Sequence, residues 1–292
     1  MKILVLGGSG FLGKKLIDNL SQQPIELFAA VRNIPSISNQ NCTYVLVDDL
    51  RKDSSLGPLV FDVIINVAMK RSSRHLPVSD EVIRELNYEK PLRIIRSYSN
   101  PSTLVINTST YIQNYKGVKG QTVETYGATK ELLSTALKSD AGTGLYTVLD
   151  LYLFTLYGPG DRDTHLVPLL LSAIRNRTVV SLSEGNQLMT LLYAQDAVDS
   201  IVGAITNSNK GHSAYHLWEP VYFTVRDLVQ TIEQALGTKL KVEWGAVPYG
   251  GHEMFEPWAI PIEKFPNFIS KTSLADGIKL TFKSVPTACS IV

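Results

Sequence analysis

Tyr126 and Lys130 stand four residues apart in Tyr126-Gly127-Ala128-Thr129-Lys130, which opens a helical run through residues 131–137. On a helix that spacing puts both side chains on one face. A lysine ammonium beside a phenol favours the phenolate, bringing a poor acid or base toward working pH. Alone, Tyr-x-x-x-Lys is a common surface pair; its weight here comes from order along the chain. Ahead of it lies Leu104-Val105-Ile106, a short core strand that runs into Asn107-Thr108-Ser109-Thr110-Tyr111-Ile112, so hydroxyls cluster at a strand's carboxyl end.

The element that gives the pair a partner is the N-terminus, Met1-Lys2-Ile3-Leu4-Val5-Leu6-Gly7-Gly8-Ser9-Gly10-Phe11-Leu12-Gly13. The apolar run 3–6 suits a strand buried on both faces, and glycines begin where it stops. Leu16, Ile17 and Leu20 then fall on one helical stripe with Phe11 or Leu12. Strand, glycine turn and helix together make a nucleotide phosphate site, because free N–H groups and the positive helix end face a pyrophosphate. Two registers fit: Gly7, Gly10 and Gly13, or Gly8, Gly10 and Gly13.

Other strands frame the same site. Residues 26–31 read as a second strand ending at Arg32, with no acid at its end. In a dinucleotide fold an acid there binds a ribose 2′-OH, whereas an arginine accommodates a 2′-phosphate, so NADP is favoured over NAD. A third strand runs into Asp48-Asp49-Leu50, where an acid can reach an adenine edge. Residues 61–68 form a buried strand closing on Asn66-Val67-Ala68, small enough for a cofactor to lie across. The basic loop Lys70-Arg71-Ser72-Ser73-Arg74-His75 follows on the ligand side and can meet substrate phosphates. Residues 80–98 form a helix that carries Asn87 and is expected to bend at Pro91.

Composition narrows the partners. With 292 residues and 44% hydrophobic content, the chain can bury roughly three quarters of its unfolded surface. Its 28 basic and 27 acidic residues leave a formal charge of +1, which provides no footprint for nucleic acid or an anionic membrane. Two cysteines, Cys42 and Cys289, support neither a disulfide framework nor a thiolate zinc site. His212 and His216 flank strand-like sequence rather than a helix, so no metal is assigned. No signal-peptide pattern and no apolar run near twenty residues appears, and a cytoplasmic location is expected. Cys289-Ser290-Ile291-Val292 mimics a prenylation site, but it lacks the preferred terminal residue and a preceding basic stretch, and is read as accidental.

Taken together, the glycine turn, Asn66-Val67-Ala68, Asn87, Ser109, and Tyr126 with Lys130 resemble the short-chain dehydrogenase/reductases. The resemblance is to their extended branch of nucleotide-sugar epimerases, dehydratases and ketoreductases. Leu156-Tyr157-Gly158-Pro159-Gly160-Asp161-Arg162, Leu192-Tyr193-Ala194-Gln195-Asp196-Ala197 and Thr272-Ser273-Leu274-Ala275-Asp276-Gly277-Ile278 extend it over nearly the whole chain. It implies an α/β fold, a Rossmann-type doubly wound parallel sheet with a smaller C-terminal α/β substrate-binding domain. Residues 1–157 and 191–217 are expected to form the NADP-binding domain, and 158–190 with 218–292 the substrate domain. It implies that Tyr126 transfers the proton, Lys130 lowers its pKa and holds the nicotinamide ribose, and Ser109 hydrogen-bonds the reacting oxygen. The expected cofactor contacts are Gly7, Gly10, Phe11, Leu12, Gly13, Arg32, Asp48, Asp49, Leu50, Val67, Ala68, Asn87, Tyr126 and Lys130. A homodimer through the 80–98 helix and the helix at Tyr126 is likewise implied.

Departures from the pattern refine the reaction. Where relatives often carry a diphosphate-gripping arginine, this chain reads Leu188-Met189-Thr190, which leaves Arg162, Arg175 and Arg177 as substitutes beside Lys70 and Arg71. Dehydration needs an acid and a base, supplied in family dehydratases by an Asp-Glu pair; Thr110 and Tyr111 stand there instead. Residues 108–112 look most like the Ser-Thr-Asp-Tyr-Val element of 4-dehydrorhamnose reductases. The expectation is therefore NADPH-dependent reduction of a keto group, at C4 of a nucleotide-linked 6-deoxyhexose. The alternatives are a 4-epimerase with bound NAD and a non-catalytic NADP-binding regulatory protein.

Overall fold

The buried run Ile3–Leu6 lies in β1 (Lys2–Leu6), and the glycines that follow deliver the chain into α1 (Phe11–Leu20), which buries Leu12, Leu16, Ile17 and Leu20. Each of those side chains contributes roughly 1.5–3 kcal/mol by leaving water. The chain continues through β2 (Glu26–Val31), β3 (Cys42–Leu46) and β4 (Val63–Asn66). A helix over 80–98 comes next, in three parts: α2 (Asp80–Arg84), a π-helical turn (Glu85–Glu89) and α3 (Lys90–Tyr98). The irregularity therefore lies one turn ahead of the expected bend at Pro91. It lies where Asn87 is fully buried and turned onto the backbone of Lys70. Next come β5 (Leu104–Thr110), α4 (Glu124–Gly142) and β6 (Thr147–Leu153).

The second half is made of β7 (Thr155–Tyr157), α5 (Leu166–Asn176), β8 (Val179–Ser181), β9 (Leu188–Met189), β10 (Leu191–Tyr193), α6 (Ala194–Gly203) and β11 (His212–Leu217). It ends with β12 (Phe223–Thr224), α7 (Val225–Leu236), β13 (Lys241–Glu243) and α8 (Leu274–Ser284). The computed structural model describes residues 1–286 except 37, 49–58, 73–75, 119, 207–208 and 260. Asp49 and Leu50, part of the basic loop, and the Cys289 motif lie outside the described residues.

Seven strands form one all-parallel sheet in the order β3-β2-β1-β4-β5-β6-β11. Strand order reverses between β1 and β4, and ligands in such sheets bind beyond the carboxyl ends at that point. This is the Rossmann-type arrangement expected from the sequence.

Two compact units result, one of residues 1–153, 198–217 and 260–268, the other of 154–197, 218–259 and 269–292. Residues 191–193 were expected to complete the nucleotide domain. Instead β10 pairs with β7 in a separate two-stranded parallel sheet. Residues 263–265, expected with the substrate domain, lie along the edge strand β11. The His216 N–H donates to the Glu263 carbonyl at 2.8 Å, and the Phe265 N–H donates to the His216 carbonyl at 3.0 Å. That occupies backbone groups an edge strand would otherwise leave open. Within the second unit, Leu170, Leu171, Leu228, Ile232 and Ile278 from α5, α7 and α8 share one core. Helix α7 is bounded by local chemistry: Thr224 and Asp227 form a capping box, and Gly237 closes it at φ 63°.

Candidate active site

The glycine turn meets the end of β4. Gly7 has φ 86°, and a Cβ there would come within 2.7 Å of the Ala68 Cα; at Gly13 it would collide with the Gly7 carbonyl. Both positions therefore require glycine; a Cβ at Gly8 would also come within 2.9 Å of the Ala29 Cβ, and of the two alternatives only Gly7 has a positive φ, which favours the register Gly7, Gly10 and Gly13. Gly10 precedes α1, and no side chain caps the helix, so the amides of Phe11, Leu12 and Gly13 belong to an open N-terminus. The bare backbone and free donors fit the pyrophosphate of a dinucleotide, with Val67 and Ala68 flooring the approach. Arg32 is exposed immediately after β2. Asp48 is ion-paired with Lys90 at 3.2 Å. Asn87 does not reach outward: its Oδ1 accepts the Lys70 N–H at 2.7 Å and its Nδ2 donates to the Lys70 carbonyl at 2.8 Å. It fixes the loop after β4 rather than facing a ligand.

Tyr126 and Lys130 lie in the first two turns of α4, as their spacing requires. Their electrostatic relation differs from the expectation. The Lys130 Nζ is buried and donates to the carbonyls of Ala68 at 3.1 Å and Thr108 at 2.9 Å. Burial lowers its pKa to about 8, against the opposing pull of Asp150. The Tyr126 phenol is pushed up to about 12 by burial, while the Arg71 charge and a hydrogen bond with the Thr110 side chain act to lower it. Arg71 and Thr110, not Lys130, are its acidifying neighbours.

Ser109 is tied into a buried network. Its Oγ is buried 2.9 Å from the Ser134 Oγ and donates to the Asp150 carboxylate at 3.1 Å. Ser109 faces α4 about two turns beyond Tyr126, where Ser134 and Asp150 take up its hydroxyl. The Thr110 side chain is the neighbouring hydroxyl that acts to lower the phenol's pKa. The hydroxyl cluster at the end of β5 was visible in the sequence; the partners of each hydroxyl were not.

Behind the site runs a buried polar row. Asn66, Asn107 and Asp150 occupy matched positions on β4, β5 and β6. The Asn66 Nδ2 donates to the Asn107 Oδ1 at 2.7 Å, and the Asn107 Nδ2 to the Asp150 Oδ1 at 2.6 Å. His212 on β11 completes it, with Nε2 3.1 Å from the other Asp150 oxygen. The Asn66 Oδ1 also accepts the Ala68 N–H, which orients one of the carbonyls that Lys130 uses.

The remaining cations separate clearly. Arg71 pairs through two N–H groups with both oxygens of Glu124, each at 2.9 Å. The Arg175 guanidinium packs on the Phe282 ring at 4.3 Å and donates to the Phe282 carbonyl, so it ties α5 to α8. Arg162 and Arg177 are exposed, as is Phe255, whereas Trp258 is buried.

Known proteins share this design. CDP-abequose synthase of Yersinia pseudotuberculosis is 26% identical over 271 residues, covering 88% of this chain and 92% of that protein. The Salmonella typhimurium CDP-abequose synthase is 22% identical over 269 residues, covering 86% and 87%. The Thermus thermophilus UDP-glucose 4-epimerase, solved with NAD, superposes with a TM-score of 0.79 at 18% identity over 99% of this chain and all of that one. The model of the NAD dependent epimerase/dehydratase family matches residues 3–217, from β1 through β11 and so across the whole sheet, the glycine turn and the Tyr126–Lys130 helix. The chain belongs to that family.

Proposed function

We propose that the protein reduces a keto group, at C4 of a nucleotide-linked 6-deoxyhexose, using NADPH. The observation that carries this reading is the phenol of Tyr126, set beside the hydroxyls at the end of β5 and one helical turn from the buried ammonium of Lys130. When bound, the reduced nicotinamide supplies a hydride. Tyr126 then donates its proton to the oxygen that gains charge, and Thr110 donates a hydrogen bond to the same oxygen. Lys130, anchored on the Ala68 and Thr108 carbonyls, turns its remaining donor capacity toward the cofactor ribose. Arg32 takes the 2′-phosphate, since no acid stands at that strand end.

Two facts support reduction on a nucleotide carrier. The acid and base that dehydration requires are replaced by Thr110 and Tyr111. The curated relatives carry the name of a synthase whose product is a CDP-linked sugar. The chain's candidate diphosphate cations are Lys70, Arg162 and Arg177. A homodimer through α2, α3 and α4 would cover Val82 and Leu132, each 40% exposed; sedimentation of a monomer at micromolar concentration would exclude it.

The test is to incubate the protein with NADPH and CDP- or dTDP-linked 4-keto-6-deoxyhexoses. Stoichiometric NADPH oxidation, abolished in Tyr126→Phe while NADPH binding persists, supports the reductase. Interconversion of two sugars without net cofactor consumption would instead identify a 4-epimerase. NADPH binding without turnover of any sugar would point to a regulatory protein.

A further inference from the structure

The phenol that must give up a proton lies in a setting that makes it a poor acid, and a cation from a different segment than the Tyr-x-x-x-Lys pattern suggests lies over its ring. The Arg71 guanidinium carbon lies 5.8 Å from the centre of the Tyr126 ring. It is held there by Glu124, whose two oxygens each accept an Arg71 N–H at 2.9 Å. Glu124 does this from a left-handed backbone, φ 58°, as the first residue of α4. A non-glycine residue in that conformation persists only where its surroundings over-determine it, and such strain gathers at functional sites. A bidentate carboxylate grip fixes both the position and the plane of a guanidinium. Among the described residues, the charged or titratable groups acting on the phenol are Arg71 from the loop after β4, Tyr111 after β5 and Glu124 on its own helix, with the Thr110 side chain beside them.

We propose that Arg71, aimed by Glu124, is the positioning residue that tunes the acidity of the Tyr126 phenol, a role that rests on Tyr126 being the proton donor. Arginine suits this because it stays charged at every working pH, whereas a buried lysine does not. The two members act in opposite directions: the guanidinium favours the phenolate, and the carboxylate behind it disfavours the phenolate. Glu124 thus both aims Arg71 and moderates its field.

Opposed signs make the pair testable without substrate or cofactor. The full chain is labelled with meta-fluorotyrosine, the Tyr126 fluorine resonance is assigned by its loss in Tyr126→Phe, and its titration midpoint is followed by fluorine NMR. Arg71→Met should raise the midpoint by about one pH unit, the scale set by one water-screened charge near 6 Å. Arg71→Lys should restore part of that shift, and Glu124→Gln, which keeps one oxygen to hold Arg71, should lower the midpoint. An unmoved midpoint in Arg71→Met, or shifts of the same sign in Arg71→Met and Glu124→Gln, overturns the proposal. If Arg71→Met does not fold, the direction in Glu124→Gln decides alone. Correct shifts in a protein that reduces no ketosugar would leave the pair standing and remove the reductase reading. Normal reduction with unmoved midpoints would do the reverse.

Discussion

At residue 124 the ordinary order of helix formers should invert. In a helix, glycine costs about 1 kcal/mol relative to alanine. Glu124, at φ 58°, occupies a conformation that costs a residue with a Cβ on the order of 1–3 kcal/mol and glycine almost nothing. Both Glu124→Ala and Glu124→Gly delete the same Arg71 ion pair, whose side chains are 50% and 36% exposed and which is therefore worth about 0–1 kcal/mol. The ion pair cancels in the comparison. Subtracting a glycine entropy penalty of about 0.5–1 kcal/mol leaves Gly more stable than Ala by about 1 kcal/mol. Urea unfolding followed by circular dichroism reads this as a higher midpoint for Glu124→Gly at equal slope. An alanine variant as stable as the glycine variant would falsify the strain, and with it the argument that Glu124 is held in place by its duty to Arg71.

Other outcomes follow from the same geometry. Thr110→Val should cost on the order of a hundredfold in kcat and about 1 kcal/mol of stability, since the Thr110 side chain also caps the turn at Gln113, whereas Ser109→Ala should chiefly lower the unfolding free energy, by about 0.5–1.5 kcal/mol, because it takes one hydrogen bond from each of buried Ser134 and Asp150. The reverse pattern would return the oxygen-directing role to Ser109. Lys130 carries its proton only up to about pH 8 in the folded chain, and to about 10.5 when unfolded. The unfolded state thus binds more protons across that window, so folding stability should rise with pH there and kcat should fall above pH 8. Lys130→Met should lose that alkaline gain in the urea midpoint. Arg32→Ala should weaken NADPH at least tenfold by calorimetry and leave NADH unchanged; equal losses would end the 2′-phosphate assignment.

What the sequence revealed was what local rules control. The glycine turn and the Tyr126–Lys130 helix each depend on residues a few positions apart, where turn chemistry and helical spacing decide the outcome. What it concealed depends on distant contacts. Ser109 and Thr110 are equally plausible hydroxyls until the distant partners of Ser109, Ser134 and Asp150, are known. Arg71 cannot be matched to Tyr126 by spacing, because the helix over 80–98 and β5 intervene. The π-helical turn has no local signature, since it exists to bring Asn87 to Lys70. Nor does any pattern in residues 263–265 announce that they return to the edge of β11.

The row of Asn66, Asn107 and Asp150 bears on how the chain finds its structure at all. The cores of β1, β4, β5 and β6 are runs of Ile, Leu and Val that would pack nearly as well if one strand slid along its neighbour. Sliding by a single residue turns every side chain to the opposite face, which would carry the Asp150 carboxylate away from Asn107, Ser109 and His212 into aliphatic surroundings. Stranding a buried charge in this way costs about 3–5 kcal/mol, more than an apolar slip alone would. The three central strands therefore carry an alignment key: misthreaded sheets are penalised during assembly, and the loops that bear Ala68, Thr110 and Tyr126 come into line only when the key engages.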